Sequence, residues 1–148
     1  MKRPLKPILL VEDDPNDIFL IRRAFQKANI LHPIHVVEDG EQATAYLAGE
    51  KKFSDRIRYP LPTLVILDLK LPRKAGVEVL TWLRAQEAPL CHLPVIVLTS
   101  SRQTSDVNDA YDAGANSYLV KPGEFERLLA LVTDLDQYWF EFSQPPEF

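Results

Sequence analysis

Leu64-Val65-Ile66-Leu67-Asp68-Leu69-Lys70-Leu71-Pro72 is the stretch on which the reading of this chain turns. Four apolar residues run unbroken into one aspartate, and a proline follows four residues later. That is the pattern of a strand buried on both faces that ends at Asp68. In open α/β sheets the ligand crevice lies outside the carboxyl ends of the strands, so an acid at that position faces the region where such folds do chemistry.

Four more segments read as strands, and most end in polar groups. Ile8 to Val11 runs into Glu12-Asp13-Asp14-Pro15, residues 93–98 into Thr99-Ser100-Ser101, and Ser117 to Val120 into Lys121-Pro122; Ile34 to Val37 is shorter. Helical spacing separates them. Asp14 suits a helix N-cap with Pro15 at the first helical position, ahead of Ile18, Ile21, Phe25 and Ala28. Ala43, Tyr46 and Leu47 mark a second helix ending near Gly49, and Val77, Leu80 and Leu83 a third. A fourth covers about 104–113, with Gly114 as its stop. The last starts near Glu124 with Phe125, Leu128, Leu129, Val132, Leu135 and Trp139 on its core face. Residues 49–62, rich in charge and holding two prolines, read as a long surface loop, and about 143–148 as a loose tail. Alternating strands and helices indicate an α/β fold with a largely parallel sheet.

Composition narrows the function classes. At 148 residues the chain is expected to form one domain. Its net charge of −4 argues against a dedicated nucleic-acid binder. One cysteine, Cys91, rules out an internal disulfide and fits a reducing compartment, and beside His92 it reads as an apolar filler. No apolar run approaches a membrane span of about 20 residues. The basic start Met1-Lys2-Arg3 precedes too short an apolar run for a signal sequence, so the expected location is cytoplasmic.

If the strands lie side by side, Glu12, Asp13, Asp68, Thr99 and Lys121 meet in one crevice. Two like charges about 4 Å apart repel by about 4 kcal/mol at an effective dielectric near 20. Three carboxylates therefore need a cation or shifted pKa values, and hard oxygen ligands with room for water are what Mg²⁺ accepts. Taken singly, each group has a plain reading as a cap or a solvated charge; their joint placement at one end of the sheet is what points to a site.

These motifs, Ile8-Leu9-Leu10-Val11-Glu12-Asp13-Asp14-Pro15, Leu67-Asp68-Leu69-Lys70-Leu71-Pro72 with Gly76, Leu98-Thr99-Ser100 and Tyr118-Leu119-Val120-Lys121-Pro122, together resemble the receiver domain of bacterial two-component response regulators. The resemblance implies a flavodoxin-like fold, a five-stranded parallel sheet in order 2-1-3-4-5 with helices on both faces. It also implies that Asp68 accepts a phosphoryl group from a sensor histidine kinase, with no turnover of an external substrate. Asp13 would bind Mg²⁺ directly and Glu12 through water, with Asp68 and the backbone carbonyl of Lys70 as further ligands; Mn²⁺ would substitute. Thr99 and Lys121 would contact the phosphoryl group, Ser100 and Tyr118 would share in the switch, and Lys121–Pro122 would be cis.

Departures from the family pattern are visible. Asp13 and Asp68 stand 55 residues apart, with 49–62 as the insertion, Ala75 precedes Gly76, and Glu12 replaces the commoner aspartate. The resemblance further implies a stand-alone receiver without an output domain. The long loop and Tyr138-Trp139-Phe140-Glu141-Phe142 are most similar to regulators paired with bacterial phytochrome kinases. Leu131, Tyr138 and Phe142 widen the apolar arc of the last helix beyond what one sheet needs, which suggests a homodimer through that helix.

Three rivals differ in testable ways. An aspartate-nucleophile phosphatase needs a second acid two residues after Asp68, where Lys70 stands. A flavin module wants a glycine- and hydroxyl-rich phosphate cradle, which Glu12-Asp13-Asp14 would repel. A pure interaction module would not need the site groups. His32 and His35 could be imagined as a metal pair, but histidines flanking a strand read as unliganded.

Overall fold

The computed structural model describes residues 4–147. Met1 to Arg3 of the basic start and Phe148 of the tail lie outside them. In chain order the elements are β1 (Ile8–Val11), α1 (Pro15–Lys27), β2 (Ile34–Val37), α2 (Gly40–Ala48), β3 (Leu64–Leu67), α3 (Gly76–Arg84), β4 (Val95–Thr99), α4 (Thr104–Asp112), β5 (Ser117–Val120) and α5 (Phe125–Asp136). The five strands form one parallel sheet in the order β2-β1-β3-β4-β5. This is the doubly wound arrangement expected from the sequence, with its switch point between β1 and β3.

The period-2 alternation of each strand divides the interior into two cores. Leu9, Val11, Val65, Leu67, Val95 and Val97 face α2, α3 and α4, meeting Tyr46, Leu47, Leu80, Leu83 and Ala110. Ile8, Leu10, Leu64, Ile66, Ile96 and Leu98 face the other way, onto Ile21 and Phe25 of α1 and Leu128 and Val132 of α5. Buried on both faces, the central strands read as unbroken apolar runs, which is why β3 was so legible. No helix among the described residues is long and apolar enough to cross a membrane.

The 49–62 stretch is better held than a free surface loop. A 3₁₀ turn at Lys51–Ser54 buries Phe53 at 5.1 Å, centroid to centroid, from both Tyr46 and Tyr59. The Arg56 guanidinium donates to the carbonyls of Tyr46 (2.7 Å), Leu47 (2.9 Å) and Tyr59 (3.2 Å), closing the C-terminus of α2. Gly49, at φ 71°, makes the left-handed turn there, and a Cβ on it would sit 2.8 Å from that guanidinium. One aromatic and one arginine leave no periodic trace in a sequence, so the stretch looked unanchored.

The last helix keeps most of its expected face, with Phe125, Leu135 and Trp139 packed in part against the α1–α5 core. Leu128 and Val132 are buried as anticipated, while Leu129 is only half-buried. A π-helical turn at Gln137–Phe142 follows α5, closed by the Ser143 amide donating to the Tyr138 carbonyl at 2.8 Å. The wider turn also brings in Phe140, which is buried more deeply than the neighbouring Trp139 and stacks 4.3 Å from the His32 ring. His32 is a packing residue here: its Nδ1 accepts from the Lys6 amide at 2.9 Å. The one cis peptide among the described residues is Ala88–Pro89, so Lys121–Pro122 is trans. The isomers of an X-Pro bond differ by only about 1 kcal/mol, and residue type alone does not choose between them.

Candidate functional site

The sheet ladders run on past the strand ends and deliver the polar groups to one place. The Asp68 amide donates to Val11 O at 3.0 Å and the Glu12 amide to Val37 O at 3.1 Å, fixing both acids at the switch point. Lys121 is placed likewise, its amide on Thr99 O at 2.8 Å. Gly76 lets the N-terminus of α3 close over the turn after Asp68: its amide donates to Leu69 O at 2.9 Å, and a Cβ there would lie 2.5 Å from Asp68 O.

Glu12, Asp13 and Asp68 each present an oxygen within 4.8 Å of the others. Glu12 and Asp68 are buried and Asp13 is exposed. Glu12 is oriented by the amides of Asp13 and Asp14, both donating to its Oε1 at 3.1 Å. Asp68 Oδ1 accepts from the Lys70 amide at 3.3 Å. The Lys121 ammonium reaches in from the fifth strand to 2.7 Å from Glu12 Oε2, 2.7 Å from Asp17 Oδ2 and 3.0 Å from Asp68 Oδ2. Asp14 caps α1 as read from the sequence, its Oδ1 accepting from Asn16 N at 2.9 Å.

Asp17 was missed. An acid in the first turn of a helix already has a reading as a favourable dipole partner, so nothing in the sequence marked it for the site.

Charge is unevenly shared in this cluster. Burial, and then the charge of Asp68, push Glu12 up to about 7 against the pull of Lys121 and the Asp14 amide. Burial also disfavours the Asp68 anion, but the hydrogen bond and charge of Lys121 outweigh it and hold that carboxyl below its usual range. For Lys121 the hydrogen bonds to Asp17, Glu12 and Asp68 overcome desolvation and raise its affinity for the proton. A single ammonium thus keeps Asp68 anionic while Glu12 takes up a proton near neutrality. Such a cluster lacks positive charge, and its hard carboxylate oxygens fit a small divalent cation.

The remaining sequence-derived residues fall on β4 and the loop after it, on β5, and on α5 with the turn that follows it. Thr99 is fully buried, and its Oγ1 makes no hydrogen bond of good geometry. Ser100 is exposed, whereas Ser101 is buried and its hydroxyl donates to Asp106. The Tyr118 hydroxyl donates to the Ser101 carbonyl at 2.9 Å. Leu131 packs partly against the α1–α5 core, and Tyr138 and Phe142 are 58% and 77% exposed. Beside them runs an open groove of about 1000 Å³, lined in part by Leu119, Leu131, Leu135, Tyr138 and Trp139.

Comparison with known proteins gives consistent neighbours. The model of the response regulator receiver domain matches residues 8–133. The chain is 38% identical over 139 residues to the probable methanogenesis regulatory protein FilR2 of Methanothrix harundinacea, covering 94% of this chain and 86% of that one. It is 36% identical over 138 residues to the response regulator Rcp1 of Synechocystis sp., covering 93% and 91%. The Mn²⁺-bound form of Rcp1 superposes with a TM-score of 0.83 at 34% identity, over 96% of this chain and 99% of that one. The phosphorylated cyanobacterial phytochrome response regulator RcpA superposes with a TM-score of 0.88 at 33% identity, over 97% and 100%.

Proposed function

The chain belongs to the response regulator receiver family, and from that premise we propose that it is a phosphorylation-controlled switch whose acceptor is Asp68. The observation that carries the reading is the pairing of a buried, anionic Asp68 with a lysine delivered from another strand. A carboxylate held ionised away from bulk water is a competent nucleophile toward phosphorus. In the transfer from a phosphohistidine, an Asp68 oxygen forms the new O–P bond as the N–P bond breaks, and the electron pair leaves with the imidazole. Lys121 neutralises charge on the phosphoryl oxygens, and the Thr99 hydroxyl, with no acceptor of its own, donates to one of them.

Glu12, Asp13, Asp68 and the Lys70 carbonyl would hold Mg²⁺, or Mn²⁺ in its place. A divalent cation there supplies further neutralisation of the transferred group. The orphaned Thr99 hydroxyl and the hydrogen bond from Tyr118 to Ser101 support a switch in which the loop after β4 moves toward the acceptor and Tyr118 follows. The whole chain acts in this reading as one receiver unit in the cytoplasm, with no turnover of an external substrate and no nucleic acid partner. Its phosphodonor is a sensor histidine kinase, and the similarity to RcpA supports one of the phytochrome type.

The exposed Tyr138 and Phe142 support a homodimer, since the C-terminal turn offers protruding aromatics and the groove at Tyr138 has an apolar wall of Leu131, Leu135 and Trp139 within a mixed polar lining that a second copy would cover. Incubation with a small acyl phosphate and Mg²⁺ should give one hydroxylamine-labile phosphoryl adduct by intact mass, absent from Asp68→Asn. An adduct that persists in that variant overturns the assignment. Sedimentation equilibrium at high micromolar concentration checks the dimer, and a monomer there refutes it.

A further inference from the structure

We infer that Asp17 is a positioning residue: it is the carboxylate that retains the Lys121 ammonium when a divalent cation takes up Glu12 and Asp68. The inference rests on the metal-binding reading above. Lys121 is bonded to three carboxylates, and two of them, Glu12 and Asp68, also belong to the triad able to hold a cation. Asp17 is the one that does not.

An ammonium and a dication cannot both keep the same two carboxylates at contact distance, because they repel each other and compete for the same lone pairs. Lys121 therefore has to give ground. Asp17 is already within 2.7 Å of it and requires no new approach.

Placement of Asp17 favours this role over an ordinary helix-end role. Counted from the cap at Asp14, it is the third helical residue, where an acid commonly reaches back to the cap's own amide. That amide instead donates to Glu12 Oε1 at 3.1 Å, and the Asp17 carboxylate turns to Lys121, 104 residues away in sequence. Its side chain keeps 28% of its surface exposed, enough to stay hydrated as the lysine settles on it.

The test is a double-mutant cycle read by calorimetric titration of Mn²⁺ in the absence of phosphodonor, using wild type, Asp17→Asn, Lys121→Gln and the double variant. Asp17→Asn should weaken Mn²⁺ binding about tenfold in the wild-type background, the effect of one charge-assisted hydrogen bond, and less than about twofold in Lys121→Gln. Asp17→Glu should restore affinity to near wild type. An equal loss in both backgrounds would show a long-range charge effect and overturn the inference, as would no loss in either. Absence of Mn²⁺ binding by wild type sinks the cation reading itself and this inference with it, whereas Mn²⁺ binding that ignores Asp17 sinks the inference alone.

Discussion

Raising the pH in the absence of divalent cations should destabilise this fold through Glu12. The carboxyl is 1% exposed, and burial among acids moves its pKa from 4.5 in the unfolded chain to about 7 in the fold. Because the native state holds this proton more tightly, stability from Glu12 is fully present below pH 4.5 and is lost as the pH rises to about 7. A displacement of this size corresponds to about 3 kcal/mol in all, most of it falling between pH 5 and pH 8. Asp68, whose carboxyl is held low, loses its contribution only in acid, and Lys121, whose ammonium is held high, only in alkali. His35, whose imidazole is pushed down by burial and by the charge of Arg22, also titrates between pH 5 and pH 8, but it is common to wild type and Glu12→Gln, so the difference between the two proteins isolates Glu12. Urea unfolding followed by circular dichroism should show the wild type losing about 2 to 3 kcal/mol relative to Glu12→Gln across it, a relative midpoint shift of roughly 1 M. Millimolar Mg²⁺ should restore most of that loss at pH 8, since Glu12 adds its attraction to that of Asp13 and Asp68 only once it is ionised. Parallel curves for the two proteins between pH 5 and pH 8 would refute the charge distribution assigned to the cluster.

Two further substitutions probe how the site and its flank are built. Gly76→Ala should destabilise the fold by about 1 to 3 kcal/mol, because its Cβ meets backbone of the turn after Asp68 rather than a movable side chain; it should also slow adduct formation from an acyl phosphate, seen by intact mass over time. Phe140→Ala should cost about 3 to 5 kcal/mol in urea unfolding by emptying the space against His32. Phe142→Ala, two residues on and exposed, should stay within about 0.5 kcal/mol in the monomer.

What the sequence made legible follows the geometry of a parallel sheet. Strands buried on both faces appear as apolar runs, and the first polar residue after each run lies at the same end of the sheet; Glu12, Asp68, Thr99 and Lys121 could be placed together without coordinates. Asp17 obeys no such rule, since it reaches the cluster from a helix and its position already had a sufficient local explanation. Phe140 was hidden for a different reason. Regular helical phase through residues 137–142 places Trp139 on the core side, where it packs, but only the π turn there brings Phe140 in beside it. Arg56 escaped notice because a guanidinium on three carbonyls is a single residue's doing, with no periodicity to announce it.

Strand β5 ties these parts together. Four consecutive residues at its end carry Tyr118, bonded to the loop after β4, Leu119 and Val120 in the wall of the α5 groove, and, just past the strand, Lys121, bonded to Asp68. The strand lies at the edge of the sheet, paired on one side only, and all four of its residues are half-buried. A central strand clamped between two neighbours would resist displacement, but an edge strand is held by one ladder and by whatever packs on its faces. One short stretch of backbone thus joins the lysine bonded to the acceptor to the wall of the groove. β2 at the opposite edge shares this single-sided pairing, but β5 is the edge strand that joins the lysine of the site to the groove beside the C-terminal turn.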